Sequence, residues 1–346
     1  MDRRPPLTPS SQEWRSILLE TSRQGVVGVL FDGVERLPSA QRPPLDVLMD
    51  WVAVVDHIER ENRLLFQRCT DVLGSFRQDG VKVCLLKGVG LGMLYPSPLR
   101  RGLGDIDLWM TGGKQKVEAY VSRRFAQADV GDGTHHISFL HEGVEVEVHH
   151  LPASLYAPHH SRCLRRYFAE VERLPWNYMV TLPEGTGAIL TPPVAFNLVF
   201  VLVHLFHHWA FEGCGMKQVL DYYWLALAAR QMDAASRKRA LHLIGCLGLS
   251  SFLAALMGMF CHWGMNPSDA LCKPDIRKGH ILLADILATG IVAPDALASG
   301  AMGRETKPEK FFRRFRRMKR IFSLAPSELP WVLLRSVYLW IRYRLF

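Results

Sequence analysis

No two cysteines in this chain stand at Cys-x-x-Cys spacing, and the seven present (Cys69, Cys84, Cys163, Cys214, Cys246, Cys261, Cys272) are an odd, scattered set. That argues against a disulfide framework and a zinc ribbon, and it suits a reducing compartment. Long hydrophobic runs are also missing. The longest, 194–206, is broken by Asn197 and His204 and falls short of the roughly 20 residues that cross a bilayer, so no transmembrane segment is expected. Fixed-period repeats and low-complexity tracts are absent. The opening Met1-Asp2-Arg3-Arg4-Pro5-Pro6 runs into polar residues without the apolar core of a secretory signal, and the expectation is a cytoplasmic protein.

What is present is ordinary in bulk. With 346 residues, 49% hydrophobic and 22% charged, the chain has the composition of a folded globular protein, which excludes wholesale disorder. The net charge of +9 is local: residues 304–320 hold nine Lys/Arg against Glu305 and Glu309, a contribution of +7. The spacing predicts an amphipathic helix over 309–322, with Phe311, Phe312, Phe315, Met318 and Phe322 on one face and arginines on the others. Such a helix either holds nucleic acid or an anionic surface through phosphates, or packs on its own domain with a solvated basic face. Trp331, Leu334, Tyr338 and Ile341 continue a helical stripe read as core.

Three regions differ in periodicity. Residues 1–78 read as helical, with apolar positions three and four apart and a helix start after Arg42-Pro43-Pro44. Residues 79–182 are the α+β part, with strands expected over 81–86, 105–110, 135–141 and 144–149 and His141-Glu142-Gly143 as a hairpin connection. Residues 183–346 return to helix. The fold class is α+β: a small mixed sheet between N-terminal helices and an all-helical C-terminal region.

Chemistry concentrates where strand gives way to helix at Leu86-Lys87-Gly88-Val89-Gly90, followed by Gly104-Asp105-Ile106-Asp107-Leu108. Asp105 and Asp107 share a strand face because side chains repeat every two residues, and two adjacent carboxylates are costly unless a cation lies between them. Hard divalent ions take oxygen ligands of this kind, and a pair of them can clamp both oxygens of a phosphoryl transfer. The alternation Val144-Glu145-Val146-Glu147-Val148-His149 offers a third acid, Glu145 or Glu147, on a polar face. Backbone N–H groups at the Lys87-Gly88 turn, with the lysine itself, suit phosphate.

These segments resemble the DNA polymerase beta-like nucleotidyltransferases, and more narrowly the bacterial family labelled uncharacterised nucleotidyltransferases. Leu86-Lys87-Gly88, Leu94-Tyr95-Pro96, Arg101, 104–108, His135-His136, 144–150, 213–221 and Ala325-Pro326-Ser327-Glu328 carry the likeness. The turn is Lys87-Gly88 where the wider superfamily has Gly-Ser or Gly-Gly, and the spacing from Gly88 to Asp105 is longer than in its general motif. The resemblance implies transfer of a nucleoside monophosphate from an NTP to a hydroxyl-bearing acceptor, with release of pyrophosphate. It implies two Mg²⁺ ions, with Mn²⁺ able to substitute, on Asp105, Asp107 and Glu147, the acid–apolar–His pattern favouring Glu147 over Glu145. Lys87, Gly88 and Arg101 would hold the triphosphate. The acceptor is left open, a small molecule being favoured over RNA or protein. Rival readings are a non-catalytic nucleotide or nucleic-acid binding module and a peripheral membrane or scaffold protein using the basic helix.

Overall fold

The structure is a computed structural model and describes residues 9–125, 128–129, 135–211, 213–289 and 315–345. Two compact units divide the chain, one running to His150 and including Trp176–Thr191, the other made of Leu151–Pro175 and the chain from Pro192 onward. The division falls elsewhere than the changes of periodicity, because contact rather than pattern defines it.

In the first unit, α1 (Ser11–Arg23), α2 (Val27–Glu35) and the long α3 (Leu45–Gln78) precede β1 (Val83–Leu85), the single turn α4 (Val89–Gly92), β2 (Ile106–Met110), α5 (Gly113–Arg124), β3 (His136–His141) and β4 (Val144–His149). Ser10 and Glu13 close a reciprocal capping box at the start of α1, which satisfies backbone donors that the first turn leaves unpaired. The 34 residues of α3 serve two cores. Its first half packs Val47, Trp51 and Val55 against Trp14, Val27 and Phe31, and its second half lays Leu65, Phe66, Cys69, Val72, Leu73 and Phe76 on the sheet. The sheet runs β1-β2-β4-β3, with β2 and β4 parallel and both outer pairings antiparallel. A two-residue turn, Glu142-Gly143, joins β3 to β4 with both residues at positive φ, the geometry that matches strand twist in a tight hairpin.

Strict alternation sorts the sheet residues. Ile106, Leu108, Met110, Val146, Val148, Ile137 and Phe139 point to the side that α3 and α5 cover, so Asp107, Glu147 and His149 must share the other. A separate hairpin, β5 (Met179–Thr181) with β6 (Ala188–Leu190), adds Ile189 to the same core. The α+β class is the one the sequence predicts.

The second unit is helical: α6 (Pro158–Arg173), α7 (Val194–Phe211), α8 (Met216–Ala228), α9 (Ala234–Cys246), α10 (Ser250–His262), α11 (Ile276–Thr289), α12 (residues 315–321) and α13 (Leu329–Leu345). Apolar on every side, α7 lies at its centre, with Phe196, Leu198, Phe200, Leu202, Leu205, Phe206 and Trp209 buried. The close crossing of α10 and α11 requires two glycines, since a Cβ at Gly258 would lie 2.1 Å from the Asp275 carbonyl oxygen and one at Gly279 would lie 2.6 Å from the Met259 nitrogen. Among the described residues no single helix is long and apolar enough to cross a membrane; α9 and α10 reach that length only as a pair bent by 120°.

Three expectations need correction. Strand β6 lies within 183–346, the stretch whose pattern reads as helix. In α12, Met318 and Ile321 are buried while Phe315, and Phe322 just beyond the helix, are exposed, so the inward face is rotated from the one expected; positions 309–314 of the expected helix, and 304–314 of the basic segment, lie outside the described residues. Trp331, Leu334, Tyr338 and Ile341 are exposed on α13, where, among the described side chains, Leu329, Val332 and Ser336 are buried.

Candidate active site

The register of the parallel pair places Asp107 directly opposite Glu147. Facing residues on paired strands stand about 5 Å apart with side chains on one face, so the two carboxylates converge without any loop to aim them. The Asp107 side chain is fully buried and that of Glu147 is 21% exposed. Backbone pairing runs one step past β1, where the Leu86 N–H donates to the Asp107 carbonyl at 2.9 Å, and this brings the next residue, Lys87, alongside. Its Nζ lies 3.0 Å from Asp107 Oδ1 and 3.7 Å from Asp105 Oδ2. Asp105, just before β2, is 45% exposed and stands at the rim. Gly88 turns the chain at φ +60° and ψ −108°, a conformation closed to side-chain-bearing residues, and its carbonyl accepts the Gly92 N–H at 3.0 Å.

Histidines complete the group. His149 Nε2 lies 3.0 Å from Asp107 Oδ1 and 3.2 Å from Glu147 Oε2, and His136, its register partner on β3, brings Nε2 to 3.8 Å from Glu147 Oε1. Burial alone would raise the Glu147 carboxyl, but the hydrogen bond and charge of His149, with the charges of His136 and Lys87, outweigh it and bring the pKa down to about 2. Burial likewise works against protonation of Lys87 and His149; the surrounding carboxylates prevail and hold both above their ordinary values. One buried oxygen, Asp107 Oδ2, has no hydrogen-bond partner among the described residues, and neither does His149 Nδ1. A half-satisfied buried carboxylate is expensive, and one donor atom each from Asp107, Glu147 and His149 lies within 4.8 Å of the others, the spacing of a metal-holding group.

Of the residues named from the sequence, Lys87, Asp107 and Glu147 come together and Asp105 joins through Lys87. Glu145 is exposed and pairs with Leu140 across the hairpin. Arg101 is buried, its Nη1 donating to the Gly102 carbonyl at 3.4 Å. Its backbone is held by a residue sequence reasoning did not single out: the Asn62 amide, buried on α3, donates to the Leu99 carbonyl at 2.6 Å and the Arg101 carbonyl at 2.8 Å, fixing the loop that leads to Asp105. Arg100 anchors the same loop through Asp32, Glu35 and Glu59. Neither His149 nor His136 was chosen as a site residue. The first was legible, two residues beyond Glu147 on the same face; the second depends on strand register.

A comparison with family models matches residues 10–263 to the family described as uncharacterised nucleotidyltransferase. The chain belongs to this family. It is an enzyme of the transferase class that uses a nucleoside triphosphate for nucleotidyl transfer, a reaction that in general takes divalent metal. Comparisons with curated proteins and with solved structures returned no match. The matched span takes in the whole sheet, α3 and the second unit as far as α10.

Elsewhere the cysteines are free thiols. Burial pushes Cys69 and Cys214 up to about 12, which leaves them inert as nucleophiles. A groove of about 1050 Å³ in the second unit is lined by Arg162, Arg166, Tyr167, Phe196, Lys238 and Arg239 among others, a basic rim over an aromatic floor.

Proposed function

We propose that the first unit transfers a nucleoside monophosphate from an NTP to a hydroxyl-bearing acceptor, with Asp105, Asp107 and Glu147 holding divalent cations. In this reaction the acceptor oxygen bonds to the α-phosphorus, the α–β phosphoanhydride bond breaks, pyrophosphate leaves and the hydroxyl proton is released. Bound cations supply neutralisation of the triphosphate and a lowered pKa for the attacking hydroxyl. The observation that carries the reading is the opposition of Asp107 and Glu147 across parallel strands, with one buried Asp107 oxygen left without a hydrogen-bond partner among the described residues.

The chain's own groups do the positioning, which is most of the work in phosphoryl transfer. Lys87 is protonated and only 19% exposed, so its charge acts on a triphosphate with little screening by water. Gly88 lets the turn approach the phosphates without a side chain in the way, and Arg101 is the further cation assigned to them. His149 Nε2 stands within 3.2 Å of both Asp107 and Glu147. A small-molecule acceptor is favoured over RNA or protein.

Incubation of purified protein with each α-³²P-labelled NTP, Mg²⁺ or Mn²⁺ and cell extract, beside an Asp105→Ala/Asp107→Ala control, tests this. Label transferred only by the intact protein supports the reading and gives the acceptor's size class. No transfer with any NTP, together with no metal-dependent nucleotide binding, would sink it.

A further inference from the structure

We infer that the cation site is a mixed nitrogen–oxygen site in which His149 and His136 join Glu147 and Asp107, and that it selects a divalent transition ion of the Mn²⁺ to Zn²⁺ series over Mg²⁺. This rests on the nucleotidyl-transfer reading and names the cation class at the same site.

Three neighbouring strands each place a donor on one face. Asp107 of β2 opposes Glu147 of β4, and two residues further along, His149 of β4 opposes His136 of β3. One donor atom each from Asp107, Glu147 and His149 lies within 4.8 Å of the others, and the same holds for His135, His136 and His149. The ring centres of His136 and His149 are 5.2 Å apart, and that of His135 lies 5.4 and 5.6 Å from them. His149, buried, and His136, 27% exposed, thus stand against the carboxylates.

The donor set decides the ion. Mg²⁺ demands near-octahedral oxygen ligands and gives up its water reluctantly, whereas imidazole nitrogen suits the later divalent ions. Beside the carboxylate oxygens stands the ring of His149, which is 4% exposed and already within 3.2 Å of both Asp107 and Glu147, so nitrogen is part of the donor set. Asp107 Oδ2 and His149 Nδ1, both buried and without a hydrogen-bond partner among the described residues, are the lone pairs and protons that such a site leaves to be settled by what it binds.

The experiment is titration of the metal-free full-length protein with Co²⁺, read by its visible d–d absorption, followed by competition with Mg²⁺ or Zn²⁺ and by Mn²⁺ binding from electron paramagnetic resonance. The expected result is an absorption distinct from aqueous Co²⁺ that about a hundredfold excess of Mg²⁺ does not remove and stoichiometric Zn²⁺ does. His149→Gln and His136→Gln should each weaken Co²⁺ binding about tenfold or more. Because His149→Gln alters a buried position, circular dichroism accompanies it, and the less buried His136→Gln decides if the first variant unfolds. An aqueous-type spectrum, displacement by equimolar Mg²⁺, or unchanged Co²⁺ affinity in a folded His136→Gln protein overturns the inference. Should label transfer proceed with Mg²⁺ in that event, the nucleotidyl-transfer reading survives; selective Co²⁺ binding without transfer of any nucleotide would fail that reading and leave the metal site standing.

Discussion

The two units bury carboxylates in opposite ways. In the helical unit, Asp285 is fully buried and takes the Arg317 guanidinium at 2.7–3.1 Å and Arg320 at 2.8 Å, while Glu328, also fully buried, accepts from His160 at 2.6 Å and from the backbone N–H of Tyr156 and Ala157. In the sheet unit Asp107 is as deeply buried, yet among the described residues one of its oxygens has no hydrogen-bond partner. Breaking a satisfied buried pair strands its remaining partner, so such acids hold a fold together. An acid left half-satisfied carries a desolvation cost, of the kind met where function is placed ahead of stability.

The sharpest break of that contrast is an Asp107→Asn protein. Expected is a loss of nucleotidyl transfer on the order of a thousandfold, as for loss of a group that acts on transition-state charge, with a urea midpoint no lower than that of the unaltered protein. Retained transfer together with a lower midpoint would make Asp107 a structural acid like the other two. Glu328→Ala should behave in the converse way: unfolding free energy falls by about 3–5 kcal/mol in urea titration, because His160 and two amides lose their acceptor. A loss below about 1 kcal/mol would end the distinction.

Gly88→Ala tests the turn rather than the acids. At φ +60° and ψ −108° the added side chain costs about 1–3 kcal/mol of backbone strain, and the accompanying rise in KM for NTP should exceed any fall in stability of the second unit, followed by separate proteolytic fragments. The smallest effect concerns an exposed acid. Asp79 accepts from the Tyr120 hydroxyl at 2.7 Å and from Arg124 at 3.2 Å, and these hold its pKa below the usual carboxylate value. A depressed folded pKa contributes stability above the unfolded value and loses it as pH falls through the folded one. Asp79→Asn should therefore lower the thermal midpoint slightly at about pH 6 and not at about pH 2; equal shifts at both would remove the ionic share.

Much of this was legible from pattern. The strand 144–149 and the helices 194–211 and 276–289 have the bounds their periodicity predicts, since alternation by two and spacing by three and four are local properties of the chain. Helix α6 was not, because Arg162, Arg165, Arg166 and Arg173 dilute its apolar stripe to Leu164 and Phe168. Arginines 317 and 320 read as part of a solvated basic face, and it took the fold to bring Asp285, more than thirty residues earlier, beneath them.

By itself the sequence determined the α+β class, the alternation that gathers acids on one sheet face, and the glycine turn before Asp105. Tertiary structure alone decided that Glu147 rather than Glu145 lies opposite Asp107, that Lys87 stands between Asp107 and Asp105, and that His136 meets His149. The reason is that side-chain direction along a strand follows from backbone geometry residue by residue. Which residue faces which across strands is set by register, and register is chosen by the packing of the whole apolar face.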